Sequence, residues 1–182
     1  MKTFNRNVAI LGLAVGIGAP MYVLADSSGD STKANGPTTV SKDDIEFLGK
    51  VAQTDMTEVQ AAAIASNRAL TTEAKSLASR MTTDHQENSD DLRALAATKG
   101  VSLPTKLDSK HQSELDDLSK IDAKKFDAAY ADTMAKVHKD AVGLFETASK
   151  KSKDADIRTF AKNTLPTLQQ HLDMAKHLNE NS

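Results

Sequence analysis

The chain reads as all-α, an antiparallel four-helix bundle with a short extra helix between its second and third long helices. Three observations point there. Apolar residues recur at three- and four-residue spacing over four long stretches, cap and turn signals separate those stretches, and aromatic residues make up only 4% of the 182. So few aromatics leave a core that must be aliphatic and alanine-rich. That suits close-packed helices better than sheets, whose strands favour β-branched and aromatic side chains.

The first long helix is expected to start after Ser41, with Asp43 and Asp44 in its first turn, and to run to about Asn67 with Leu48, Val51, Val59, Ala62 and Ala65 inward. Thr71 caps the second, Glu73 complements its dipole, and Ala74, Leu77, Ala78, Met81, Leu92, Leu95 and Ala96 face in until Gly100 stops it. After a connection containing Pro104, Asp108 to Ser119 can form the short amphipathic helix, with Leu115 and Leu118 inward, covering one end of the bundle. The third long helix starts at Asp122 and turns Phe126, Tyr130, Met134, Val137, Ala141, Leu144, Phe145 and Ala148 inward before Lys150 to Lys153 ends it. The fourth runs from about Asp154, with Ile157, Phe160, Ala161, Thr164, Leu168, Leu172, Ala175 and Leu178 inward. Pro166 removes one of its backbone hydrogen bonds, which predicts a kink just ahead of His171. Two long hairpins of matched length are what an antiparallel bundle requires.

Residues 1–25 read as a secretory signal. Lys2 and Arg6 give a positive start, Val8 to Leu24 is mostly apolar, and Val23-Leu24-Ala25 is a small-residue cleavage site, so the expected product begins at Asp26 in the periplasm or outside the cell. Pro20 and glycines 12, 16 and 18 make this segment a poor permanent membrane helix; an uncleaved anchor is the alternative, and no other stretch is apolar enough to span a bilayer. Residues 26–40 are rich in Ser, Thr, Gly and Asn and read as a disordered leader, which leaves 41–182 as the folded domain. Without the signal the chain has 21 basic and 25 acidic residues, a charge of −4 that argues against a nucleic-acid partner. The absence of cysteine excludes a lipidated N-terminal cysteine, disulfides and thiolate metal sites.

The chemistry, if any, lies where polar residues interrupt the apolar stripes, because burying a charge or an imidazole costs several kcal/mol unless it is paired or metal-bound. His85, His138 and His171 do this on three helices, and Asp55 and Glu58 do it on the first. Three neutral imidazoles and one carboxylate form a nitrogen–oxygen donor set suited to Zn, Cu, Fe or Ni. The competing reading is a buried polar network that fixes helix register. Rough heights, at about 1.5 Å per residue, spread the four groups over about 11 Å, so convergence is permitted without being required. The paired Glu-x-x-His motifs of di-iron bundles are absent: Thr82, Ala135 and Leu168 stand three residues before the histidines. His111 and His177 read as solvated, and Met56, Met81, Met134 and Met174 as core filling. No phosphate loop, nucleophile elbow or zinc-protease helix occurs, and no residue is nominated as catalytic.

The segments Met81-Thr82-Thr83-Asp84-His85, Phe126-Asp127-Ala128-Ala129-Tyr130, Val137-His138-Lys139 and Leu165 to Leu172 resemble the bacterial family called domain of unknown function family 4142. The resemblance covers about Asp44 to Leu178 and implies an exported, ferritin-like helical bundle. Its matching positions are Glu58, Asp84, His85, Phe126, Asp127, Tyr130, His138, Pro166 and His171. The expected ligands are therefore Glu58, His85, His138 and His171, supported by Asp55, Asp84 and Tyr130, for a transition-metal ion in envelope metal handling or stress protection. The alternative function is a metal-free helical module that binds an envelope protein or peptide.

Overall fold

The computed structural model describes residues 40–181, and the segments read as signal and most of the leader lie outside them. Five α-helices follow one another: α1 (Lys42–Arg68), α2 (Thr72–Lys99), α3 (Ser109–Lys120), α4 (Phe126–Lys151) and α5 (Ala155–Glu180). No strand occurs among the described residues, so the all-helical expectation holds. No helix among them is long and apolar enough to cross a membrane.

Local chemistry sets the ends. The side chains of Ser41, Thr71, Asp108 and Asp154 each accept a backbone N–H from the first turn that follows, which satisfies donors that would otherwise lack partners. Gly100 closes α2 in the left-handed region at φ 66°, while the Val101 N–H donates to the Ala96 carbonyl at 2.9 Å. One boundary differs from the sequence reading. The third long helix begins at Phe126, because Asp122 caps a single 3₁₀ turn, Ala123–Lys125, by accepting from the Lys124 N–H. Pro166 sits inside α5, which continues as α-helix on both sides of it.

α1 packs along α2 and α4 along α5, with further contacts of α2 on α5 and α1 on α4. Contacts between α2 and α5 run in opposite directions: Lys99 meets Asp154 at 2.7 Å, and Asp84 meets His171 at 2.8 Å. α3 rests against α1 and α4 and buries Leu115 and Leu118. Arg68, at the end of α1, donates to the Leu118, Ser119 and Ile121 carbonyls and lies 4.8 Å over the Phe126 ring. Gln53 holds the loop before α3 by donating to the Lys106 carbonyl and accepting from the Asp108 N–H.

The apolar core is split in two. One cluster joins Ala61 to Ala69, Ala74 to Met81, Phe126 to Met134, Ala175 and Leu178; the other joins Phe47 to Ala52, Leu92, Ala141 to Ala148, Ile157, Ala161 and Leu168. On every long helix the gap between them is filled by buried polar residues: Asp55 and Glu58, His85, His138, and His171.

The turn between α1 and α2 is held from a third helix. Buried Asp127 accepts from the Leu70 and Thr71 N–H groups at 3.0 and 2.8 Å and from the Thr71 hydroxyl at 2.7 Å. Burial works against the charge, but these hydrogen bonds outweigh it and hold the Asp127 carboxyl below its usual range. We expect Asp127→Ala to destabilise the fold by about 2–3 kcal/mol at pH 7, since buried donors lose a charged acceptor. In urea melts of the wild type this contribution should be full above the unfolded-state value near pH 4 and disappear as pH falls through the depressed folded-state value.

Candidate metal centre

Four side chains from four helices meet in the gap between the apolar clusters. Glu58, His85, His138 and His171 are each at most 3% exposed. One ring nitrogen from each histidine lies within 4.8 Å of the other two. His138 is central: its Nε2 is 3.4 Å from His85 Nε2, 3.2 Å from His171 Nδ1 and 3.6 Å from Glu58 Oε2. Glu58 Oε2 also touches His85 Nε2.

The outer nitrogen of each ring fixes which way its proton points. His85 Nδ1 is 2.9 Å from Asp55 Oδ1, His138 Nδ1 is 2.9 Å from the Met134 carbonyl, and His171 Nε2 is 2.8 Å from Asp84 Oδ2. All three partners are oxygen acceptors, so each outer nitrogen must carry the hydrogen and donate. Each inner nitrogen of a neutral ring is then a lone pair. The lone pairs of His138 and His171 face one another across 3.2 Å, an arrangement that is favourable only with a cation between them.

Electrostatics agree with this assignment. Burial lowers the basicity of His138 and pushes His171 down to about 4, so both rings are neutral at physiological pH. Burial acts the same way on His85, but the carboxylates of Glu58 and Asp55 outweigh it and hold the ring at about 10. Without metal, His85 therefore carries the cluster's proton on the nitrogen facing Glu58. Burial disfavours the charge of Glu58, and the imidazoles of His85 and His138 overcome it and keep the carboxyl below its normal range.

The residues fit a metal ion. A four-coordinate ion with bonds of about 2.0–2.1 Å places neighbouring donors about 3.3–3.4 Å apart, close to the separations around His138 Nε2. Fully buried Glu58 meets the imidazoles of His85 and His138 through Oε2, while Oε1 has no hydrogen-bond partner. A buried carboxylate with one oxygen unserved is costly in a core and natural in a metal ligand.

The supporting residues predicted with the ligands separate into two kinds. Asp55 and Asp84 orient His85 and His171 directly, and Arg80 in turn pairs with Asp84 at 2.5 Å. Tyr130 is fully buried, with its ring stacked on Phe126 and its hydroxyl lacking a partner; burial and the nearby Glu58 charge keep the phenol protonated. Of the remaining histidines, His177 is exposed and His111 donates to its own cap residue Asp108. None of the three inward histidines lines the broad groove of about 1120 Å³ among α1, α3 and α4.

A family model described as "Domain of unknown function (DUF4142)" matches residues 29–178. The chain belongs to that family. No curated protein matches it. Among solved structures it is similar to the DUF305 fragment from Deinococcus radiodurans, with a TM-score of 0.71 at 14% identity, covering 80% of this chain and 100% of that one. At that identity the likeness is one of fold.

Some residues that complete the centre in this family member escape sequence reasoning. Asn88 and Ser89 donate to Asp55 Oδ2, and Asn88 accepts from the Thr164 hydroxyl. Asn88 carried a usable signal, being a polar residue one helical turn beyond His85 on the same stripe. Arg80 and the Met134 carbonyl carried none, because an exposed arginine and a backbone oxygen look the same in every helix.

Proposed function

We propose that this protein is an exported, periplasmic metal-binding bundle of the ferritin-like, antiparallel four-helix kind, working in envelope metal handling or stress protection. Glu58, His85, His138 and His171 hold one transition-metal ion, with zinc the reference ion for a three-imidazole, one-carboxylate set. Asp55 and Asp84 set the orientation of two of the imidazoles. The observation that carries the reading is the facing pair of imidazole nitrogens, 3.2 Å apart and buried, each presenting a lone pair because an acceptor on its far side holds the ring's hydrogen. A register-fixing network would place a donor between them. The export assignment rests on the N-terminal sequence, in which a positive start, an apolar run and a small-residue site follow in order.

Calorimetric titration of the metal-free mature chain with Zn(II) tests this. One equivalent should bind at pH 7 with release of about one proton, the one His85 holds. Because that ring titrates at about 10, affinity should rise about tenfold per pH unit between pH 6 and 8, with no added dependence from His171 at about 4. An absence of binding, or binding at a surface site that survives loss of the histidines, would overturn the reading.

A further inference from the structure

Among the described residues, the buried side-chain polar atoms without a well-formed hydrogen bond belong to two residues: Glu58, whose Oε2 has the ion-pair contact with His85 and whose Oε1 has no partner, and Tyr130, whose hydroxyl has none and which feels the Glu58 charge. Elsewhere in the core the polar groups are served. Asp127 takes its donors from Leu70 and Thr71, and Asp55 from His85 and Asn88. These exceptions are informative, because native cores leave few such groups and each one calls for an explanation, an ion, a polar guest or a function among them.

The guest's chemistry follows from the atoms that would meet it. Binding a metal through one oxygen leaves Glu58 with a second oxygen, an acceptor. The Tyr130 hydroxyl is a donor, and its ring cannot turn it toward solvent: the residue is fully buried and stacks on Phe126 with centroids 6.1 Å apart and planes 9° from parallel. The apolar cluster it belongs to, with Met81, Met134 and the alanines of α1, offers no side-chain acceptor stronger than a thioether. One donor and one acceptor beside a cation suit a water molecule, which can accept from the phenol and donate to the carboxylate, or a small anion, which accepts from the phenol.

We infer that the centre carries one exchangeable small ligand, water-derived or a small monoanion, fixed by hydrogen bonding from Tyr130 on the Glu58 side of the histidine cluster. This rests on the metal reading above. It gives the ion a fifth position beyond the four protein donors, open to small molecules, with Tyr130 selecting ligands that accept a hydrogen bond.

The test uses the Co(II)-loaded mature protein, whose visible absorption reports ligand number and exchange, titrated with sodium azide. In the wild type azide should change the visible bands saturably. Tyr130→Phe, which keeps the ring and its stacking on Phe126, should still load Co(II) while binding azide about ten- to a hundredfold more weakly, the loss expected for one buried hydrogen bond to a charged acceptor. Loading with a spectrum indifferent to azide, or equal azide affinity in the two proteins, would overturn this inference and leave the metal site standing. Failure of the wild type to take up Co(II) would overturn both.

Discussion

Replacing His138 with leucine should lower Zn(II) affinity by two to three orders of magnitude while leaving the metal-free fold as stable as before or more so. His138 Nε2 is the one donor near all the others, 3.2 to 3.6 Å from the atoms of His85, His171 and Glu58. A binding free energy of about 10–16 kcal/mol shared over four ligands is about 2.5–4 kcal/mol for each, and every 1.4 kcal/mol is a factor of ten. The stability half of the expectation has a separate cause. In the metal-free protein the imidazole presents a lone pair to that of His171, and an apolar group of similar size removes the conflict. Titration calorimetry and urea melts of the same variant read both. Retained affinity would remove His138 from the ligand set, and a large loss of metal-free stability would favour the register-fixing network instead.

The second large effect is on thermal stability. Saturation with Zn(II) at about a thousand times the dissociation constant should stabilise the folded state by about 4 kcal/mol. For a domain of this size that corresponds to a rise in Tm of about 10–15 °C, reversed by a chelator. The coupling is strong because the unfolded chain scatters the four donors. Glu58 and His171 are far apart in sequence and belong to different hairpins, so an unfolded chain has almost no affinity to set against the folded one. Differential scanning calorimetry with and without chelator measures it, and a Tm indifferent to both would exclude an ion bound across the helices.

The helices were legible because their signals are local. Ser41, Thr71 and Asp154 cap the turns they precede, Gly100 supplies the left-handed residue that ends α2, and the apolar spacing names the inward faces. The inward direction of the three histidines came from the same spacing. Their common height did not: counting residues from the turns spreads Glu58 and the three histidines over about 11 Å, whereas the three inner nitrogens lie within 4.8 Å of one another. Two things close the gap. Side chains on helices lean toward the helix N-terminus, so those on oppositely running neighbours lean opposite ways by several ångströms. The stagger of the helices is then set by contacts distant in sequence, such as Asp127 on the α1–α2 turn and Lys99 on Asp154, which no periodicity reveals. The 3₁₀ turn at Ala123–Lys125 was missed for a simpler reason, since Asp122 is as good a cap for an α-helix as for the tighter turn it begins.

The division of the core into two apolar clusters also bears on how the molecule resists mechanical and thermal opening. A chain without cysteine has no covalent tie between its hairpins. An ion bound by one donor from each long helix would act as that tie, fastened at mid-height in the polar belt between the two apolar clusters. Unlike a disulfide, such a fastening made with Zn(II) ignores the redox state of the surroundings and yields to acid, which returns the proton to His85. The two greasy ends could then drift in sequence independently, each free to trade one aliphatic for another, so long as the polar belt between them keeps its level.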